Sequence, residues 1–334
     1  MTALVRSAAL THFAELAAAC GLDARALLAR AGLQPRCLID PDLKVASHLV
    51  SRLLESAAAE AHEPAFGLRL AESRRLSNLG PLALLVRDEP TLRRALDALM
   101  QHIHLHNEAI AVQVAEHGGL VVIRTELASD GSGSLRQATE LVVGVSCRLL
   151  QVLLGASWQP RLVCFTHAAP KSLTVHRRVF GAAVEFGHEF NGIVCDAADL
   201  EAPNPGADPV MARYSNKLLQ PALKRDASMR TRVRQLVVLL LPRGLCCVEV
   251  VAQHLGVDRR TVHRQLDAEG TSFSALLQDE RRELARRYVE GTARPMIEVA
   301  ALLGFSSASA FSRWYRGSFG ASAVARRRVA ASAH

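Results

Sequence analysis

Along the carboxyl-terminal third of the chain, apolar residues recur at helical spacing in short blocks, separated by glycine, proline or a small polar residue. Met229 to Leu241 reads as a helix turned by Pro242-Arg243-Gly244. Next comes Val251-Ala252-Gln253-His254-Leu255-Gly256-Val257-Asp258, followed by Arg259-Arg260-Thr261-Val262-His263-Arg264-Gln265-Leu266. The pattern returns as Val299-Ala300-Ala301-Leu302-Leu303-Gly304-Phe305-Ser306, followed by Ser307-Ala308-Ser309-Ala310-Phe311-Ser312-Arg313-Trp314-Tyr315, with the two glycines 48 residues apart. One extra residue past the second turn pairs Val262 with Phe311, Arg264 with Arg313, and Leu266 with Tyr315.

Each repeated position has a mechanical reason. Ala252 and Ala300 let a second helix cross closely, and Gly256 and Gly304 suit a helix end that needs the left-handed conformation. Asp258 and Ser306 are the expected caps of the helices that follow. Val262/Leu266 and Phe311/Tyr315 lie four apart and anchor one face. Arg260, His263 and Arg264, and in the second copy Ser309, Ser312 and Arg313, are left on the other face, as a helix laid in the major groove requires. Between the copies, Thr271-Ser272 opens a helix to about Glu290 with Phe273, Leu276, Leu277, Leu284 and Tyr288 on its apolar stripe. Such a helix is about 27 Å long, comparable with the roughly 34 Å between successive major-groove turns on one face of a duplex.

In the amino-terminal two thirds the pattern mixes periods. Residues 5–31 read as helical, with Leu10, Phe13, Leu16 and Ala17 on one face and then Asp23 to Ala31 running up to Gly32, and Lys44–Ala59 and Thr91–His106 are further helices. Glu108–Ala115 and Leu120–Leu127 read as a hairpin about Glu116-His117-Gly118-Gly119. A loop at Asp130-Gly131-Ser132-Gly133-Ser134 precedes a long helix over Leu135–Leu154. Strands are expected at Arg161–Thr166 and Gly192–Cys195, and helices at Ser172–Phe180 and from Asp208 to Lys224. The fold class is therefore an α+β amino-terminal domain over 1–210, a helical linker over 211–227, and an all-α domain over 228–330 with two helix-turn-helix units joined by a long helix.

Charge sharpens this division. Residues 1–227 carry equal numbers of basic and acidic side chains, whereas residues 228–334 hold 17 basic and 9 acidic, the whole formal +8 of the chain. All 17 are arginine, whose planar fork suits phosphates and guanine edges. That confinement points to a nucleic-acid partner, and with two helices shaped for a major groove the expected partner is double-stranded DNA. No membrane span is expected, since the apolar runs Leu141–Leu154 and Leu236–Leu241 are short or broken by Arg148 and Pro242. Seven scattered cysteines without a CxxC pair suit reduced thiols in the cytoplasm.

The repeated unit resembles the DNA-binding domain of the arabinose-regulator (AraC/XylS-type) transcription factors over about residues 228–328. The resemblance lies in Arg260-Thr261-Val262-His263-Arg264-Gln265-Leu266, Glu269-Gly270-Thr271-Ser272-Phe273, Glu298-Val299-Ala300, Leu303-Gly304-Phe305 and Phe311-Ser312-Arg313. It implies that Arg264 and Arg313 reach bases, that Arg260, His263, Ser309 and Ser312 tune sequence choice, and that the protein acts at promoters, usually as an activator touching RNA polymerase. Where the family usually has a proline after the final glycine, this chain has Ala323, so a less firmly docked last helix is expected. Residues 20–210 are similar to the effector-binding and dimerisation domain of one branch of that family, the branch with ornithine-responsive regulators. The similarity rests on Pro64–Arg69, Gly80-Pro81-Leu82, Phe165–Pro170, Phe180-Gly181, Val184–Gly187 and Phe190-Asn191. It implies a small-molecule effector and a homodimer.

Several residues carry two readings. Arg259, Arg281, Arg282, Arg286 and Arg287 are phosphate-contact candidates or members of surface pairs with Glu280 and Glu283. Arg326-Arg327-Arg328 either adds phosphate contacts or is a solvated end. Arg136, Glu140, Arg148 and His188 are effector-site candidates or ordinary salt-bridging and loop residues. His102, His104 and His106 read as partly exposed helix histidines rather than a metal site, because His104 lies roughly 160° around the helix from the other two. No Walker A loop, dinucleotide fingerprint, HExxH or nucleophile elbow is present, so neither a cofactor nor an enzymatic activity is expected. An amino-terminal domain that only dimerises or binds a protein partner is the alternative to an effector sensor.

Overall fold

The computed structural model describes residues 3–128, 133–226, 228–241, 246–255, 257–291 and 294–332. The turn at Pro242-Arg243-Gly244, the turn glycine Gly256 and the loop residues Asp130-Gly131-Ser132 lie outside them. Contacts divide the chain into two compact units, one of Met1–Leu127 with Gly133–Asp226, the other essentially Ala227–His334.

The first unit is α+β. It runs β1 (Leu4–Arg6), α1 (Phe13–Ala19), α2 (Ala24–Ala31), β2 (Lys44–Ala46), α3 (Ser47–Glu60), α4 (Phe66–Glu72), α5 (Pro81–Arg87) and α6 (Leu92–His102). A hairpin of β3 (Ile110–His117) and β4 (Leu120–Leu127) leads to α7 (Arg136–Leu154). Then follow β5 (Leu162–Phe165), α8 (Thr174–Phe180), β6 (Ala183–Phe186), β7 (Gly192–Asp196), α9 (Ala197–Glu201) and α10 (Pro209–Asp226). The five-stranded sheet has the order β3-β4-β7-β5-β6, antiparallel except for β5 and β6, which α8 joins as a parallel pair. Gly118 and Gly119 both have positive φ (58° and 81°), so the hairpin closes on two residues, and His117 faces Leu120 in register. The turn is thus tighter than the four residues the sequence suggests.

Tertiary pairing overrides helical periodicity at the amino terminus. Residues 5–31 are not one helical run: Leu4–Arg6 pairs antiparallel with Lys44–Ala46, which also begins the stretch 44–59 as a strand. The expected face survives only in α1, where Phe13 and Ala17 are fully buried. The stretch read up to Gly32 forms a separate helix, α2, capped by Asp23, whose carboxylate accepts from Arg25 N at 2.8 Å and Ala26 N at 3.3 Å. α6 ends at His102, and Ile103–Leu105 forms a 3-10 turn. His104 there is only 4% exposed, so the reading of partly exposed helix histidines fails at this position. The short elements α4, α5, α9 and β6 are too brief to carry a legible period.

α7 is the central strut of this unit. Two glycines let it cross α4 closely: a Cβ at Gly67 would lie 2.0 Å from Gln137 O, and one at Gly144 2.7 Å from the Ala71 Cβ. Gln137 Oε1 accepts from Gly67 N at 2.8 Å while its Nε2 donates to Pro64 O at 3.0 Å. Among the described residues α7 is the one helix long and apolar enough to cross a membrane, yet 61% of its most apolar window is buried inside the protein. That burial marks it as a core helix. α10, read from the sequence mainly as a linker, belongs to the first unit and packs against α5.

The second unit is entirely helical among its described residues: α11 (Met229–Leu240), α12 (Val248–Leu255), α13 (Arg259–Ala268), α14 (Phe273–Gly291), α15 (Met296–Leu302), α16 (Ala308–Phe319) and α17 (Ala323–Ser332). It has two cores. Val233, Val237, Val251, Val262, Leu266, Phe273 and Leu276 share the first; Leu284, Tyr288, Val299, Leu303, Phe311 and Tyr315 share the second. The apolar stripe of α14 therefore serves both ends, and Leu277 packs against each core.

Candidate functional site

The two repeated helix pairs are built by the same local chemistry. Val257 N donates to Ala252 O at 3.1 Å, and 48 residues later Phe305 N donates to Ala300 O at 2.9 Å. Gly304 has φ +74°, the left-handed value that ends α15. Asp258 caps α13, its carboxylate accepting from Thr261 N at 2.7 Å and Thr261 Oγ1 at 3.0 Å. Ser307, not the expected Ser306, caps α16, accepting from Ala310 N at 3.2 Å. The extra residue in the second turn shifts the extended, capping backbone one place along the chain.

These caps and anchors set the faces. Val262, Leu266, Phe311 and Tyr315 are completely buried. Arg260, His263 and Arg264 on α13, and Ser309, Ser312 and Arg313 on α16, are all exposed. Two polar helix faces, each ending in an arginine at the matching place, thus stand on separate cores joined by α14.

The arginines of the connector divide by environment. Arg281 Nε donates to Leu303 O at 3.0 Å and its guanidinium lies 5.2 Å from the Phe305 ring centre. It ties α14 to the turn after α15, and burial lowers its pKa from the ordinary arginine value. Arg286 pairs with Glu283 at 3.3 Å and sits over Phe319. Arg282 is exposed, with Asp279 3.9 Å away; Arg259 pairs with Glu249 at 2.9 Å; Arg287 is half-buried.

Three further fixings were not legible as contacts in the sequence. Glu269 caps α11, accepting from Met229 N at 2.7 Å, Arg230 N at 2.8 Å and Ser228 Oγ at 2.9 Å. Glu280, 2% exposed, pairs with Arg234 of α11. Trp314 Nε1 donates to Gln278 Oε1 at 3.2 Å, holding α16 to α14. The carboxyl-terminal arginines are not a loose solvated run: Arg327 donates to the carbonyls of Tyr288, Val289 and Arg294, and Arg326 pairs with Glu290 at 2.8 Å. Ala323 is buried in the second core and Ser322 Oγ accepts from Ala325 N at 3.2 Å. A serine cap therefore starts α17 without the proline, and the weaker docking expected there is not observed.

In the first unit, Arg136 and Glu140 come together at the start of α7. Glu140 is 0% exposed. Its Oε1 lies 3.2 Å from Arg136 Nε and 3.4 Å from both His167 Nε2 and His176 Nε2, while Oε2 has no hydrogen-bond partner. The rings of Phe165, Phe180 and Phe186 surround the two histidines. His167 and His176 were missed as site residues; His167 falls in Phe165–Pro170, where the family resemblance was noticed without a role for the ring. Arg148 is directed instead at Arg74 O, 3.3 Å away, and His188 stands edge-on to Phe190 at 4.6 Å. Among the described residues no group of three His, Cys, Asp or Glu side chains is placed to hold a metal ion.

With this geometry in place, comparison with known proteins gives the lineage. Residues 21–204 match the family model described as the arabinose-binding domain of AraC transcription regulator, and residues 251–328 match a helix-turn-helix domain model. The HTH-type transcriptional regulator VirS of Mycobacterium tuberculosis is 32% identical over 320 residues, covering 95% of this chain and 94% of VirS. The chain belongs to the AraC family of transcription regulators. It is a DNA-binding regulator of transcription, and its second unit is the helix-turn-helix domain of that family. The ornithine utilization regulator of Pseudomonas aeruginosa is 28% identical over 90% of each chain. The crystal structure of the regulator CdpR from Pseudomonas aeruginosa aligns over 91% of this AraC-family chain and 96% of CdpR, with a TM-score of 0.45 and 21% identity.

Proposed function

We propose that this regulator is a ligand-responsive, dimeric activator, acting in the cytoplasm where promoter DNA lies, that sets α13 and α16 into successive major grooves. The observation that carries the reading is the pairing of buried anchors with exposed Arg264 and Arg313 on two separately cored, capped helices. Arg264 and Arg313 then read base edges, with Arg260, His263, Ser309 and Ser312 refining the choice. Arg259, Arg282, Arg286 and Arg287 hold the backbone of the duplex, and Arg281 acts as a strut between α14 and the turn after α15. The output is promoter occupancy and contact with RNA polymerase, not turnover.

Effector response is supported by the buried polar cluster about Glu140, which an apolar dimerisation core has no reason to contain. The test has two arms. Selection of binding sites from random duplex DNA by the full chain should return two recognition elements about one helical turn apart; a single short element whose binding ignores salt overturns the DNA reading. Small molecules from a cell extract should raise the melting temperature of the full chain and alter transcription from a selected site; no shift with any fraction leaves dimerisation alone to the first unit.

A further inference from the structure

The cluster at the start of α7 has a polarity that the protein does not itself complement. His167 Nδ1 lies 3.0 Å from Ala168 O. A carbonyl only accepts, so Nδ1 carries the proton of that bond. Burial holds the His167 pKa below its ordinary value, and the neutral ring then has a bare lone pair on Nε2. That lone pair faces Glu140 Oε1 at 3.4 Å: two acceptors are aimed at one another, and both His167 Nε2 and Glu140 Oε2 are buried without a hydrogen-bond partner. His176, fully buried, brings a second ring to 3.4 Å from the same carboxylate oxygen, with neither of its nitrogens in a hydrogen bond.

Convergent buried acceptors call for a donor, and one with several hydrogens. The local charge adds to this. Glu55 accepts from Gln137 N at 2.8 Å, and burial, with a smaller contribution from the Glu140 charge, holds its pKa above the ordinary carboxylate value. Among the described residues Arg136 is the one arginine or lysine that pairs with Glu140. The neighbouring wall is aromatic: the His167 ring lies 5.0 Å from Phe165 and 5.5 Å from Phe186. Rings of this kind attract a cation more than a neutral polyol. The edge of the cluster reaches solvent through Arg136 and His167, whose side chains are 26% and 16% exposed.

We infer that the effector of this regulator is a small organic molecule bearing a primary ammonium group, which donates to Glu140 and to His167 Nε2 between α7 and the loop after β5. The inference rests on the ligand-responsive reading above and names the chemistry of its site. Phe165 and Phe186 take the aliphatic part of the ligand.

The test uses the full chain. 1,4-Diaminobutane, 1,6-diaminohexane and lysine are compared with 1,4-butanediol, 1,6-hexanediol and succinate by thermal shift and calorimetry. At saturation an amine should raise the melting temperature by about 2 °C or more, while its matched diol and succinate leave it unchanged. Glu140→Gln should weaken amine binding about tenfold or more. Should Glu140→Gln fail to fold, His167→Phe keeps a ring in place, lacks the lone pair, and should lose a similar factor. Nitrogen NMR of the unliganded wild type adds a readout independent of any variant: His167 should be neutral at pH 7 with its proton on Nδ1. A doubly protonated His167, or a diol or succinate that binds as well as the amines, overturns the inference. If extract fractions shift the melting temperature and no amine does, the ammonium assignment falls alone; if neither does, the ligand-responsive reading falls with it.

Discussion

Val262 and Leu266 on α13, and Phe311 and Tyr315 on α16, are the side chains that decide which way each helix faces, and the arginine two residues after the first anchor is turned outward as a result. Arg264→Ala and Arg313→Ala should each relax base preference at one position of the site by about 1–3 kcal/mol while leaving the folded unit intact. Competition binding against single-base variants measures this, and a uniform loss across all sequences would make either residue a phosphate contact instead. A second residue-scale prediction concerns His106. Desolvation, then the positive charges of Arg6, Arg74 and Lys44, hold its pKa down to about 3. The unfolded chain takes up a proton near the ordinary value of about 6.5, well before the folded one does. The stability that this neutral ring contributes is therefore present above about pH 6.5 and lost as pH falls toward 3. Urea unfolding of the wild type should weaken between pH 7 and 5 more steeply than that of His106→Asn; equal slopes would refute it. The two anchor pairs and the outward position of Arg264 and Arg313 were legible in the sequence, because a spacing of four on a helix is a local property. His106, His167 and His176 were not, because their neighbours come from elements far away in the chain.

At the scale of elements, α13 and α16 begin at caps and are held at their far ends by longer reaches. Asp258→Ala should cost the second unit about 1 kcal/mol, and Ser307→Ala a similar amount, read from chemical unfolding. Both are exposed, so a loss above 3 kcal/mol would mean a role beyond the cap. Arg281→Met removes the bond to Leu303 O and the contact with Phe305 while keeping an apolar stem. It should loosen the second helix pair with little effect on the first: protection of the α15 and α16 amides from hydrogen exchange falls, and that of α12 and α13 does not. Cap chemistry was readable to within one residue; the slip from Ser306 to Ser307 came from a turn one residue longer in the second copy. Arg281 and Arg327 were misread or left open because a side chain's carbonyl partners leave no periodic trace.

For the whole molecule, the division of charge is the leading fact. A neutral stretch over residues 1–227 and the whole net +8 over residues 228–334 place the attraction for DNA in the carboxyl-terminal part, and the logarithm of the affinity should fall linearly with the logarithm of salt, by about 0.9 for each phosphate neutralised. Binding that is flat between 50 and 200 mM salt would contradict the arrangement. The hairpin and long helix of the first unit, the helical character of the second and its repeated helix pairs were determined by the sequence alone, since hydrophobic period, caps and composition act within a few residues of where they are written. Only the tertiary structure decided which strands pair, that α4 and α7 cross on Gly67 and Gly144, that the first strand joins Lys44–Ala46, and that Glu140 meets His167 and His176. Those contacts depend on chain segments meeting across long separations, and neither the energy of closing such loops nor the desolvation that defines a buried polar cluster is encoded in any local pattern.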